Sequence, residues 1–401
     1  MKKLILPALI LLGSLSINAQ TKYTEHIKLL SGHSSDVGAV SFSPKNMYLA
    51  SAGADNMVNI YKADSPFTKI TSFKSHSTPI NVIRFNRLGN MMLTASTAPN
   101  DFAIFVYDSV FKKTKEFLGH SANINTAIFD NSSRFVFSGS EDGKIFLWDI
   151  KSGKNFKQIV NGHAVNSIAM NNDPRFLFVA GAEPKIKVYS IANGQVARSF
   201  DGHLDAVNAI EISPNNKFLL SGSNDKTVRI WDIMTGKELR KLPVDCWKVT
   251  AVAFSDDSKY AITGCNDGSI KVWEVETGKL VSSVEAQYYN IRDISLSKNY
   301  KYIATAPMLR SGEDFGVRIY PSGIELPQSS TSINKIYYPY APLDSIMKLR
   351  TLTKTDSLKY KKQIGIFEEF NKVKNKGISP SNKLDSVRFY KTPMTKPSTI
   401  K

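Results

Sequence analysis

The chain has 401 residues, 42% of them hydrophobic and 22% charged, with two cysteines and a formal net charge of +17. That apolar content suffices for a large buried core, so neither a low-complexity nor a wholly disordered polypeptide is expected, and two cysteines exclude a disulfide framework. The charge is uneven: residues 321–401 hold thirteen Lys and two Arg against six acids, so the excess concentrates in the tail and the preceding stretch is ordinary. A basic tail suits an anionic envelope polymer, lipid head groups or nucleic acid, and no specific nucleic-acid partner is expected.

Lys2 and Lys3 precede an apolar run from Leu4 to Leu12, after which small or polar residues lead to Ala19. This layout predicts a secretory signal peptide over residues 1–19, cleaved after Ala19, because the apolar run is shorter than the roughly 20 residues that span a bilayer. The expected location is therefore exported, periplasmic or secreted, with no transmembrane segment once the signal is removed. Residues 23–30 then read like the strands that end later repeats, and they predict the missing outer strand of the last repeat.

From there a repeat runs to residue 320. Tyr61, Tyr107, Trp148, Tyr189, Trp231, Trp273 and Tyr320 recur at 41 to 47 residues, and such internal periodicity decides the architecture. Asp55, Asp101, Asp142, Asp225, Asp267 and Asp314 stand six residues before their aromatic, with Glu183 in the fourth repeat. Ser51, Ser138, Ser221 and Thr263 stand ten before, while longer loops move Thr94 and Thr305 further back. Eighteen residues before the hydroxyls come His33, His76, His120 and His203; His163 sits at sixteen from Val179, and the same arithmetic lands on Asp245 and Gln287 in the last two repeats. Each repeat divides into four short alternating strands separated by Ser, Asn, Asp, Pro and Gly, which supply the turn dihedrals. Sheets of that kind cannot bury both faces singly but can do so when packed radially. The predicted fold is all-β, a seven-bladed β-propeller of four-stranded antiparallel blades over residues 20–320, closed by residues 23–30.

The tail, residues 321–401, is predicted to be a basic extension. Within it Tyr360, Ile364, Phe367, Phe370 and Val373 recur at three and four residues and predict a helix over 356–374. The stretch around Tyr337, Tyr338 and Tyr340 suits an extended path, and the excess of lysine suits an anionic envelope polymer.

The pattern resembles the WD-repeat β-propeller family, through the pairs Gly32-His33, Gly119-His120, Gly162-His163 and Gly202-His203 and the pairs Trp148-Asp149 and Trp231-Asp232. It departs from that family where Tyr replaces Trp, where Val179 replaces the hydroxyl, and where His is missing at 245 and 287. The resemblance implies a ring that serves as a platform for protein partners. The family's cytosolic and nuclear roles do not fit an exported chain.

Ser, His and Asp together invite a catalytic reading. Their recurrence in blade after blade argues instead for a buried network that locks each blade, composed of His33, Ser51, Asp55, His120, Ser138, Asp142, Trp148, His203, Ser221, Asp225, Trp231, Thr263, Asp267 and Trp273. No residue set outside the repeat assembles a catalytic constellation, metal-ligand spacing or cofactor motif, so no metal, no cofactor and no catalysis are expected. The runner-up readings are a propeller hydrolase or lyase with its site at the ring mouth, and a glycan or polyanion binder. Candidate partner-binding residues are those on variable loops of one face: Trp247, Lys248, Tyr288, Tyr289 and Arg292 in the last two repeats, with Arg310 on an enlarged loop. The alternative for Trp247 is that it fills the space left by the missing imidazole. Cys246 and Cys265 fall in one blade, and two buried thiols are expected there rather than a bridge.

Overall fold

The computed structural model describes residues 21–23, 25–97, 101–285, 289–308 and 315–324. The signal segment, the basic tail beyond residue 324 with its expected helix, and Tyr288, Arg310 and Asp314 lie outside the described residues. Among the described residues there are 29 strands and no helix.

Seven antiparallel sheets form the ring. The first blade shows the plan, with Val37–Phe42 innermost, then Tyr48–Gly53, Met57–Lys62 and Lys69–Lys74 outermost. Inner strands of the later blades are Ile80–Phe85, Ile124–Phe129, Val165–Ala169, Val207–Ile212, Val249–Phe254 and Asn290–Leu296. The second strand of each blade is almost wholly buried, because both of its faces pack against neighbouring blades. The outer strands alternate exposed and buried residues, as a half-solvated edge requires.

Closure uses the N-terminus in two pieces rather than one. β1 (Thr21–Tyr23) pairs in parallel with Leu280–Val284 as a fifth strand of the sixth blade, Tyr23 lying opposite Val284. β2 (Lys28–Ser31) pairs antiparallel with Gly316–Pro321 and completes the seventh blade. The expectation of one strand over 23–30 is corrected accordingly: Tyr23 packs against the buried cluster that holds Val284, Ile303 and Tyr320, and the Glu285 N–H donates to its carbonyl at 3.1 Å. The seam between last and first blades is a continuous apolar layer of Val40, Phe42, Leu49 and Tyr61 against Ala304, Val317 and Ile319.

Two local devices recur around the ring. Every inner strand skips one residue in its pairing, namely Gly38, Asn81, Asn125, Asn166, Asn208, Thr250 and Arg292. These bulges turn a side chain toward the next blade: the amides of Asn125, Asn166 and Asn208 donate to the carbonyls of Val165, Val207 and Val249 at 3.1, 3.2 and 2.8 Å. At Gly38 a Cβ would lie 2.0 Å from the Ile80 carbonyl oxygen, so the first blade can seat only glycine there. On the opposite face, the turn after six of the seven inner strands is tied by its first side chain: Ser43, Asn86, Asp130, Ser213, Ser255 and Ser297 each accept the N–H five residues on, at 2.7 to 3.0 Å.

Candidate functional site

The recurring triads sit on one face of the ring, where the loop entering each inner strand meets the turn between the second and third strands. In the fifth blade His203 lies 2.7 Å from Ser221 Oγ through Nε2 and 2.8 Å from Asp225 through Nδ1, and Trp231 Nε1 donates to the same Oγ at 2.8 Å. The third blade repeats this with His120, Ser138, Asp142 and Trp148 at 2.8, 2.9 and 2.9 Å. The first has His33 at 2.8 Å from Ser51 and 3.0 Å from Asp55. The second has His76 at 2.8 Å from Thr94 and 3.4 Å from Asp101, with Ser75 joining the Thr94 and Tyr107 hydroxyls.

Burial holds the imidazoles of His76, His120 and His203 below their ordinary pKa and so keeps them neutral. Burial alone would push the Asp142 and Asp225 carboxyls up, but hydrogen bonds from the imidazole and nearby donors outweigh it and hold both low. A neutral imidazole beside an ionised carboxylate donates from Nδ1 and accepts the hydroxyl proton at Nε2, while the hydroxyl oxygen accepts the indole N–H. In the third and fifth blades every group of the relay is thereby satisfied. Ser51, Ser138 and Ser221 have no exposed surface, so no substrate carbonyl can reach their oxygens. The relay can brace a loop; it offers no nucleophile.

The remaining blades solve the same problem differently. In the fourth, where Val179 fills the hydroxyl position, His163 turns outward to Glu183 at 3.1 Å and the Tyr189 hydroxyl donates to Asn161 at 2.8 Å. In the sixth, Trp273 still donates to Thr263 at 3.2 Å, yet Asp267 is occupied by Ser269 and Asp245 points into solvent to meet Lys271 at 2.7 Å. Cys246 and Cys265, buried in the apolar layer between the fifth and sixth blades, are bridged. This corrects the expectation of two thiols: the bridge ties the entering loop to the end of the second strand, across a Cα separation of 6.1 Å. In the seventh, Tyr289 is only 6% exposed; its hydroxyl meets that of Tyr320, and Arg318 lies over its ring at 4.5 Å. Tyr289 is thus part of the blade's interior rather than a surface contact, because without an imidazole a phenol has moved in to satisfy Tyr320.

The other described candidates are at the surface. Trp247 is 72% exposed, with the Lys226 ammonium 4.0 Å above its ring. It therefore does not fill an internal space. Lys248 is exposed and anchored through its backbone, its N–H donating to Asn266 Oδ1 at 3.0 Å. Arg292 is exposed at the bulge of the seventh blade, with Nη2 3.3 Å from Met308 Sδ.

Two rim residues went unnoticed in the sequence. Leu204 is 84% exposed, and its N–H is held at 3.0 Å by Asp225, the neighbour of Lys226. Leu204, Lys226, Trp247 and Lys248 thus belong to one stretch of rim over the fifth and sixth blades. The signal was available: the residue after the histidine is Ser34, Ser77 and Ser121 in blades one to three, and leucine at that place is out of pattern.

The axis of the ring carries charge that the repeat pattern hides. Arg84 of the second blade reaches Asp293 of the seventh through two hydrogen bonds of 2.7 and 3.0 Å, passing over the first blade, whose Val40 N–H also donates to Asp293 at 3.0 Å. Burial pushes Glu211 up to about 7, although the Phe254 N–H donates to it at 2.9 Å.

The model of the WD domain, G-beta repeat, matches residues 24–62, 111–149, 154–190, 194–232 and 236–274. The two repeats it passes over are the second and the seventh, whose loops are longer. No curated protein matches the chain. Five matched repeats within a ring of seven four-stranded blades place the chain in the WD-repeat family of β-propellers.

Proposed function

We propose that the protein is an extracytoplasmic interaction platform that binds a protein partner through the rim above the fifth and sixth blades and performs no catalysis of its own. The observation that carries this reading is the exposed Trp247, with the Lys226 ammonium over its ring and Lys248 next in the chain, on a face that also exposes Leu204. Large aromatic and aliphatic side chains held rigid at a rim provide contact area at little entropic cost, the usual makeup of a binding hot spot. The family's common use as a scaffold agrees with this. So does the fate of the Ser, His and Asp residues, which brace loops and leave the ring faces available.

The extracytoplasmic part rests on the layout of residues 1–19, and a bridged pair of cysteines suits an oxidising compartment. Sequencing the N-terminus of the mature protein tests it: a chain starting at Gln20 is expected, and a retained Met1 removes the export reading. The binding part is tested by affinity purification from the native envelope with wild-type protein and a Leu204→Ala/Trp247→Ala variant. A salt-tolerant protein partner lost by the folded variant is expected. Retention that disappears with modest salt supports the polyanion alternative, and turnover of envelope glycans by both proteins supports the enzymatic one.

A further inference from the structure

The four relay blades share a contact beyond the triad. The N–H of the residue three positions before the inner strand donates to the blade's aspartate: Ser34 to Asp55 at 2.9 Å, Ser77 to Asp101 at 2.8 Å, Ser121 to Asp142 at 3.0 Å and Leu204 to Asp225 at 3.0 Å. In the sixth blade that residue is Cys246, and its aspartate, Asp267, bonds Ser269 N and Oγ at 2.9 and 2.6 Å, as Asp225 bonds Thr227 in the fifth. The bridge lands on Cys265, the last residue of the strand Tyr260–Cys265, two residues before Asp267. A covalent link therefore joins the two backbone segments that the imidazole and carboxylate join elsewhere. The next residue in the chain is Trp247.

We propose that the Cys246–Cys265 bridge replaces the imidazole relay of the sixth blade and holds the loop bearing Trp247 and Lys248, making the order of this rim dependent on oxidation. The loop has few other ties. Lys248 exchanges backbone and side-chain hydrogen bonds with Asn266 at 3.0 Å, and Asp245 has 89% of its side chain in solvent. In a relay blade the loss of one imidazole bond leaves the rest of the relay in place; here a single covalent bond stands in for the relay. A dithiol reductant supplies two electrons and two protons, so that the sulfur–sulfur bond breaks, two thiols form, and the reductant closes its own disulfide. The loop is then held by the Lys248–Asn266 pair and by two surface contacts, Asp245 with Lys271 and Lys226 over Trp247.

This inference bears on the proposed binding rim, but its test needs no partner. The Lys248 and Asn266 amides report the loop by hydrogen exchange. Acrylamide quenching reports Trp247, because Trp148, Trp231 and Trp273 are buried. In Cys246→Ala/Cys265→Ala, and in wild-type protein treated with dithiothreitol, both amides should exchange about tenfold faster while the buried tryptophans stay shielded. A second variant, Asp245→His/Cys246→Ser/Cys265→Ser, supplies an imidazole to the waiting Thr263, Trp273 and Asp267. It should restore protection to within about threefold of the oxidised wild type and ignore dithiothreitol. Unchanged exchange on losing the bridge, or failure of the imidazole to restore protection in a folded ring, overturns the proposal. A loosened loop with undiminished partner retention leaves the bridge in place and sinks the binding reading of this rim instead.

Discussion

The ring falls into two arcs that hold themselves together by different means. Blades one, two, three and five brace each upper loop locally, with an imidazole between a hydroxyl and a carboxylate about 20 residues away in sequence. Blades six and seven lack the imidazole and rely on links that are covalent or distant: a disulfide, a phenol pair, a parallel strand from residue 21, and a closing strand from residue 28. The regular arc can be assembled repeat by repeat. The seam arc can be completed only when both ends of the chain have met, so its stability is non-local.

The largest effect should come from removing the borrowed strands. Deleting residues 21–31 uncovers the edges of Leu280–Val284 and Gly316–Pro321 and strips Leu30 from the seam core. A loss of more than about 4 kcal/mol, or outright aggregation, is expected. Deleting residues 329–401 should leave the thermal midpoint within a few degrees of the full chain, since all seven blades are complete within the described residues, which end at 324. If the tail deletion is the more damaging one, the seam is not closed by the N-terminus.

In the regular arc, His203→Ala removes the acceptor of the Ser221 hydroxyl proton and one of the donors to Asp225, and opens a hole beside Trp231. A cost of about 3 kcal/mol is expected, with partner binding by the folded protein unchanged. Acid should reach the same arc first. The imidazoles of His76, His120 and His203 lie below their unfolded value of 6.5, so the unfolded chain takes up more protons as pH falls through 6.5, and stability declines. The relay carboxylates act in the same direction lower down, because stability from a depressed carboxyl is present above 3.8 and lost as pH falls through its folded value. The amides of Ser77, Ser121 and Leu204 should therefore lose protection between pH 7 and pH 5, whereas Lys248, in the bridged blade, should keep it; equal loss at all four would erase the distinction between arcs.

What the sequence discloses follows the same division. The relay was legible because it repeats: a spacing that returns four times leaves little choice of partner, and the offsets of His33, His120 and His203 to their serines correspond to bonded pairs. Devices used once left no such trace. Gln287 occupies the histidine position by counting, yet Tyr289 is the residue that meets Tyr320. Cys246 and Cys265 are only two residues of a type that is often buried and reduced, and nothing in their spacing reveals that they face each other. Exposure at the rim is a property of loop paths rather than residue type, so Trp247 and Tyr289, similar candidates by composition, end on opposite sides of the surface.

A smaller effect, of opposite sign, belongs to the axis that spans both arcs. Glu211 has its folded value raised from 4.5 to about 7, so the ring pays for its charge above pH 7 and is relieved as pH falls toward 4.5. Glu211→Gln preserves an oxygen for the Phe254 N–H and removes the charge. It should stabilise the ring by about 2 kcal/mol at pH 8 and by nothing at pH 4.5. Equal midpoints at pH 8 would show that water in the channel already solvates the carboxylate.

The smallest effect compares one geometry in the two arcs. Lys113 lies 4.0 Å over the ring of Phe105 in the second blade, and Lys226 lies 4.0 Å over Trp247 at the sixth. Phe105 is buried and stacked on His76 of its relay, so its cation covers a packed ring. Trp247 is exposed, so its cation covers a ring that contributes nothing to the core. Each contact is worth about 0.5 to 1 kcal/mol. Lys113→Ala should therefore lower the thermal midpoint by a degree or two, and Lys226→Ala should leave it unchanged while acrylamide quenching of Trp247 rises. Lys226→Arg, which keeps a cation over the indole, should restore the shielding. A fall in midpoint for Lys226→Ala as large as that for Lys113→Ala would mean that Trp247 is part of the blade's framework, and that the rim is braced by the indole rather than presenting it.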